Sequence, residues 1–239
     1  PAVSEAYKCA VMLQDHGIVT NPGEYVKDLA KTAIAEGVEL RIASVEDIQQ
    51  TDNGVILKTD GEDIVAESVV IATGAWSAKL AAAHGANVPL ETERGYHIVL
   101  EEPSVQPTMP VMDTTRKFVS TPMADGLRLA GVVEFGGLTA PPSQGPFDLL
   151  MRGVTALLPQ IKYKSKQTWM GHRPATADSL PVIGRSPTSH NVYFGYGHHH
   201  VGLTAGPKTG RLLAEMVAGL QPNIDLQAFN FLQSNFVGD

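Results

Sequence analysis

The side chains best suited to chemistry cluster in the last third of the chain. Gly171-His172-Arg173-Pro174-Ala175-Thr176-Ala177-Asp178-Ser179-Leu180-Pro181-Val182-Ile183-Gly184 is followed closely by Gly197-His198-His199-His200-Val201-Gly202-Leu203-Thr204. A planar guanidinium such as that of Arg173 matches a carboxylate with parallel N–H donors. A strand, a glycine-rich loop and a helix start, in that order, leave backbone N–H groups free and aim the positive end of a helix dipole at a ligand. Together they would hold an acid group beside negative or electron-rich ligand atoms. The competing reading of Arg173 is a surface salt-bridge arginine at a strand end, although Pro174 and the loop behind it fix its position.

The three histidines carry their own expectations. On an extended segment His198 and His200 share one side of the backbone and His199 takes the other. Contiguous imidazoles also invite a metal. A metal site needs convergent ligands and supporting partners, and no Cys, Asp or Glu spacing near the histidines supplies them, so no metal is expected.

The elements that must position these residues are legible in outline. Asn21 is a candidate N-cap, with Pro22 at the first helical position and Glu24 in a capping-box-like place. Val26, Leu29, Ala30, Ala33 and Ile34 then mark one helical face, and Gly37 ends it. A strand over 38–43, a hairpin turn at Asn53-Gly54 and a second turn at Asp60-Gly61 follow. Residues 68–72 form the near-continuous apolar run of a buried parallel strand, broken at Thr73-Gly74-Ala75-Trp76 before a short helix that closes on Gly85. The middle third reads as strands at 94–101, 117–121, 126–135 and 166–173 with one helix, whose apolar face is Phe147, Leu150, Met151, Val154, Leu157 and Leu158. After a strand at 191–195, residues 197–206 read as a glycine-rich loop and 207–220 as a helix.

The expected fold is therefore α/β plus α+β: an incomplete Rossmann-like domain (17–88 and 176–239) with an inserted antiparallel-sheet domain (1–16 and 89–175). Clefts between such domains are common ligand sites. An apolar fraction of 43% and a charged fraction of 18% are those of an ordinary globular protein. A net charge of −7 argues against nucleic acid as partner. No window approaches the roughly 18 apolar residues of a membrane span. The single cysteine, Cys9, cannot form an internal disulfide, which suits a cytoplasmic setting.

The two C-terminal stretches, with residues 66–77 (AESVVIATGAWS), Arg94-Gly95-Tyr96-His97 and Val133–Gly137, resemble the FAD-dependent amino-acid oxidoreductases of the D-amino-acid dehydrogenase and glycine oxidase (DAO) family. The pattern Gly-x-Arg-Pro-x-Thr-x-Asp-x-x-Pro-x-Ile-Gly is filled at every fixed position, and the match runs over most of the chain. The resemblance implies a D-amino-acid oxidase type fold, FAD as cofactor, and oxidative deamination of a D-amino acid or hydroxyproline-type substrate by hydride transfer from Cα. The helix start would then stabilise the negative edge of reduced flavin. It makes Arg173 the carboxylate clamp and His200 either a residue of the active-site face or a solvated loop histidine. Tyr96, His97 and Glu134 become substrate-side candidates, each with a structural alternative. Val45, Thr73, Gly74, Trp76, Gly197, His198, Val201, Gly202, Leu203 and Thr204 become cofactor contacts, with Trp76 equally readable as an aromatic plug.

One departure qualifies this. The family opens with G-x-G-x-x-G, which this chain lacks, so the expectation is a portion that binds FAD weakly or not at all alone. The implied partners are an amino-acid substrate and an electron acceptor (quinone, oxygen or a carrier protein), with an oligomer or heteromeric complex and a peripheral place at the inner face of the cytoplasmic membrane as further expectations. Rival readings are oxidation of sarcosine or a 2-hydroxy acid on the same fold, or a non-catalytic, flavin-free subunit.

Overall fold

The computed structural model describes residues 3–230. The chain divides into two compact units. The first comprises Pro1–Glu39 and Arg94–Gly171, the second Leu40–Glu93 and His172–Asp239. The expected boundaries placed 17–39 with the second unit. The structure groups 17–39 with the first, where the Ala124 N–H donates to the Thr20 carbonyl (3.0 Å); ahead of it the Ser4 N–H donates to the Leu157 carbonyl (2.9 Å). The Tyr7 hydroxyl donates to Asp113 at 2.5 Å.

In the first unit, helix α1 (Pro22–Ala35) starts as its sequence requires. Asn21 Oδ1 accepts the Glu24 N–H at 3.1 Å, and Gly37 has φ +100°. Its apolar stripe is not buried: Val26, Leu29 and Ile34 are all exposed. The core of this unit lies between α3 (Gln144–Leu157) and strands β5 (Leu90–Glu101), β7 (Phe118–Met123) and β8 (Gly126–Phe135). Leu150, Val154 and Leu157 of α3 meet Tyr96, Ile98, Leu100, Phe118, Leu127 and Leu129 from the sheet. The helical 3.6-residue spacing and the strand alternation thus face each other across one apolar layer. Strands β6 (Val111–Asp113), β7 and β8 pair antiparallel, and the sheet order continues through β5 to β9 (Ser165–Thr176).

In the second unit, the 38–43 segment forms no strand; the first strand is β1 (Val45–Thr51), which pairs antiparallel with β2 (Gly54–Thr59). Gly54 follows the turn with φ +156°, where an added Cβ would lie 2.3 Å from the Ala66 carbonyl oxygen of β3 (Ile64–Ala66). The buried run becomes β4 (Val69–Ile71), parallel to β11 (Val192–Tyr196), while β10 (Val182–Arg185) pairs antiparallel with β11. Helix α2 (Ser77–Ala83) follows β4 through a single 3₁₀ turn, Gly74–Trp76. Ile71, Ala81, Val182, Val192 and Phe194 share one core, and Leu213 of α4 (Gly202–Val217) packs with Ile183 and Tyr193. Among the described residues no helix is long and apolar enough to cross a membrane.

Asp113 is the polar knot of the first unit. Burial raises its pKa, but hydrogen bonds from Tyr7, from the Thr115 and Arg116 N–H groups and from the Arg116 side chain overcome this and hold it at about 2. A carboxylate depressed below its unfolded value stabilises the fold above that value, and the contribution is lost as pH falls from the ordinary carboxylate range toward 2. Asp113→Asn should lower unfolding free energy by about 2 kcal/mol at neutral pH. It should also flatten the acid limb of stability against pH, measured by denaturant titration between neutral pH and the acid transition.

Candidate functional site

Within the second unit, the start of β5, the end of β9 and the turn after β11 converge on one carboxylate. Glu93, a β5 residue with only 15% of its side chain exposed, lies 3.4 Å from Arg173 Nη1 on β9. Its Oε1 is 3.3 Å from His199 Nε2, and its Oε2 is 3.3 Å from His200 Nε2. The turn is fastened to β9 by backbone pairing: the His199 N–H donates to the Pro174 carbonyl at 3.0 Å, and Ala175 bridges His198. Arg173 and the Gly197–Thr204 segment are therefore neighbours, as the clamp-and-loop expectation requires.

The histidines are arranged differently from a plain extended segment. His199 has φ +53°, a left-handed conformation that interrupts strand alternation. Consequently His199 and His200 turn toward the same carboxylate, with ring centroids 4.5 Å apart, and it is His198 that points elsewhere. His198 Nε2 hydrogen-bonds Thr209 Oγ1 of α4 at 2.8 Å, and burial pushes its pKa down. One of its ring nitrogens is thus committed to holding the turn on the helix. His200, its side chain 57% exposed, is also pushed toward the neutral form, first by partial burial and then by the charges of Arg173 and His199. Gly197 is required at φ +80°, and an added Cβ would sit 2.9 Å from Thr176 Cγ2.

The glycine-rich run is helix sooner than its composition suggests. Helix α4 begins at Gly202, not at Pro207, and Pro207 lies inside it. Proline lacks only one helical donor, which a position near the first turn tolerates better than the interior does. Val201 is the N-cap and no side chain caps the helix; the Val201 N–H donates to the His198 carbonyl (3.0 Å) and the Thr204 N–H to the Val201 carbonyl (3.1 Å), so among the described residues the Gly202 and Leu203 N–H groups form its opening. That end presents backbone dipoles to an anion or electron-rich atom.

Farther along the same unit, Ser44, Val45, Glu46, Thr73, Trp76, Lys79 and Leu80 are among the residues lining an open cavity of about 650 Å³. Gly74 beside it takes φ +58° with no atom near the position of a Cβ, so its glycine serves the backbone conformation and leaves free space. Its lining combines apolar walls and two hydroxyls with one ammonium, Lys79, and one carboxylate, Glu46, which suits a heteroaromatic group bearing polar substituents. Trp76 is not a plug beneath the sheet. It is exposed and meets His172 edge-on at 5.3 Å, while His172 Nδ1 shares a hydrogen bond with Thr92 Oγ1 at 3.0 Å.

The substrate-side candidates fall in the first unit, where they divide by strand face. Tyr96 is buried in the core at 2% exposure. Its hydroxyl donates to Glu134 at 2.5 Å, and Glu134 also accepts from Ser143 and lies 3.3 Å from the buried Arg94. Those hydrogen bonds, Ser143 first and then Tyr96, hold the Glu134 carboxyl below its ordinary range. Glu134 thereby answers the charge of Arg94, and Tyr96 holds Glu134. His97, on the opposite face, stacks on Trp169 at 4.9 Å, and burial with the nearby Arg128 charge lowers its pKa to about 4. Glu93, His199, Ser44 and Lys79 were not among the expected site residues. Glu93 had a faint signal, since alternation along β5 puts it on the face opposite the buried Thr92 and Arg94.

The model of the FAD-dependent oxidoreductase family DAO matches residues 1–216. A D-amino-acid oxidase of Bradyrhizobium diazoefficiens is 36% identical over 235 residues, covering 96% of this chain and 56% of that protein. A D-amino acid dehydrogenase of the same organism is 33% identical over 212 residues, covering 85% of this chain and 49% of that protein. The crystal structure of glycine oxidase from Geobacillus kaustophilus superposes with a TM-score of 0.77 at 27% identity, covering 89% of this chain and 57% of that one. The chain spans about half the length of the curated relatives it matches. An arginine beside a helix-opening turn, in a chain matched over nearly all its length, leaves one assignment: it belongs to the DAO family of FAD-dependent oxidoreductases.

Proposed function

We propose that the intact protein oxidises a D-amino acid at its Cα–N bond, with FAD as the hydride acceptor. The observation that carries this reading is the juxtaposition of Arg173 with the turn that opens α4, fixed by the His199–Pro174 backbone bond of 3.0 Å. The names of the matched relatives, a D-amino-acid oxidase and a D-amino acid dehydrogenase, support a D-amino acid as substrate.

The residues present fit the cofactor. The cavity lined by Val45, Thr73, Trp76 and Lys79 offers apolar walls with a cation beside the Glu46 carboxylate, and the start of α4 offers the Gly202 and Leu203 N–H donors. When bound, FAD supplies the acceptor for the Cα hydride. Among the described residues Arg173 meets Glu93 through Nη1, which leaves its remaining N–H donors to take the substrate carboxylate. Glu93 sets the position of that guanidinium, so the acid group is held at a defined place and the Cα–H bond is oriented. The N-terminal turn of α4 stabilises negative charge that accumulates as the substrate is oxidised. Water then hydrolyses the released imino acid to a keto acid and ammonia, or a proline-like substrate leaves as a cyclic imine. An amine that enters neutral needs no strong general base, which agrees with a site rich in orienting groups.

Arg173→Lys in the intact protein should raise KM for the amino acid about tenfold or more, because a point charge replaces a forked donor set. A screen of D-amino acids, hydroxyproline, sarcosine and 2-hydroxy acids with an artificial electron acceptor reads this directly; an unchanged KM would remove Arg173 from substrate binding. Gly197→Ala forces a left-handed alanine against Thr176, costing about 1–3 kcal/mol. It is expected to lower Tm and the flavin content of the purified intact protein, measured by visible absorbance.

A further inference from the structure

The carboxylate that meets Arg173 meets two imidazoles as well, and this side of it has no part in the function proposed above. We propose that Glu93, His199 and His200 form a binding site for a zinc-class divalent ion, in which the ion competes with Arg173 for the Glu93 carboxylate. The donor atoms of the three residues all lie within 4.8 Å of one another. Both Glu–His separations are 3.3 Å. Bonds of about 2.0–2.1 Å to a tetrahedral ion place its ligand atoms about 3.3–3.4 Å apart. The Glu93 oxygens therefore already stand from each imidazole at the spacing an ion would impose, slightly beyond that of a good hydrogen bond.

Closure of the third edge falls to His200, whose side chain is more than half exposed and can rotate. The other two ligands are held: Glu93 is largely enclosed, and His199 is tied through its N–H to Pro174. A left-handed residue outside glycine is costly, and His199 adopts it at φ +53°. Only this conformation lets two consecutive side chains face one acceptor, since an extended pair would diverge. Two imidazoles and one carboxylate suit Zn²⁺, Co²⁺ or Ni²⁺. A fourth position stays open to water, as in zinc sites with three protein ligands.

Arg173 opposes the ion in two ways. Its Nη1 lies 3.4 Å from Glu93 Oε2, the oxygen that His200 also approaches, and its charge repels a dication. No Cys, Asp or Glu spacing in the sequence points to a metal. The missing ligand comes from β5, far away along the chain.

The test uses tag-free intact protein, titrated with Zn²⁺ by calorimetry and with Co²⁺ by its d–d absorption. The expected result is one saturable ion per chain with a tetrahedral Co²⁺ spectrum. Glu93→Gln and His200→Asn should each weaken binding at least tenfold. His200 is exposed, so His200→Asn leaves the fold intact, which an unchanged circular-dichroism melt verifies. Arg173→Gln should tighten binding several-fold. No binding, or binding that neither Glu93→Gln nor His200→Asn alters, overturns the site, and unchanged affinity in Arg173→Gln overturns the competition. Because these readouts are spectroscopic and calorimetric, they stand or fall separately from the amino-acid oxidation reading.

Discussion

The candidate site depends on where one negative charge is placed. Glu93 is largely removed from water, and an unpaired carboxylate there would be strongly unfavourable. The guanidinium of Arg173 and the consecutive imidazoles of His199 and His200 surround it, brought from two places in the chain distant from Glu93 itself. Every one of these groups is therefore located by the same charge. Arg173 cannot swing freely, because leaving Glu93 would strand both partners. The turn after β11 cannot lift away without taking two rings from that carboxylate and breaking the His199–Pro174 bond.

From this charge outward, the rest of the second unit reads as support. His198 is the one histidine of the run that faces α4, and its bond to Thr209 joins the turn to the helix that the turn opens. Gly197 supplies the bend ahead of it, at a φ that side chains rarely adopt and with Thr176 too near for a Cβ. The first turn of α4 is thus presented at a fixed position relative to Arg173. A helix start can act electrostatically only if it is held still, because the benefit of its dipole falls off within a turn.

How much of this was legible in the sequence depends on the range of each interaction. Local signals were sound: Asn21-Pro22 began α1, the apolar spacing from Phe147 onward described α3, and the break after the 68–72 run preceded α2. Glycine content misled at 202–206, where composition argued for loop and packing of α4 against β10 and β11 selected helix. Alternation misled at 198–200, because a single left-handed residue reverses the side on which its successor points. Glu93 was hidden for a third reason. Its partners are brought to it by the neighbouring places of β5 and β9 in one sheet, and strand order is invisible in a local window. Tyr96 and Glu134 read from the sequence as substrate-side candidates with a structural alternative, and the structure displays that alternative: Glu134 pairs with the buried Arg94 and accepts from Tyr96.

Glu93 and Arg94 carry the argument one step further. They are consecutive residues of β5, and the pleat of a strand sends consecutive side chains to opposite faces. The two compact units meet in the sequence between these residues. Glu93 gathers Arg173 and two histidines within the second unit, while Arg94 gathers Glu134 and the Ala140 and Pro141 carbonyls within the first. Each charge alone would be costly to enclose, and each is answered by partners of its own unit. A one-residue slip of β5 in one direction would set Glu93 among the Ala140 and Pro141 carbonyl oxygens, and in the other would set Arg94 beside Arg173. Both outcomes are repulsive, so the two opposed charges fix the register of the strand more firmly than apolar alternation alone could. That register is what delivers Glu93 to Arg173, and with it the geometry on which substrate and ion alike would depend.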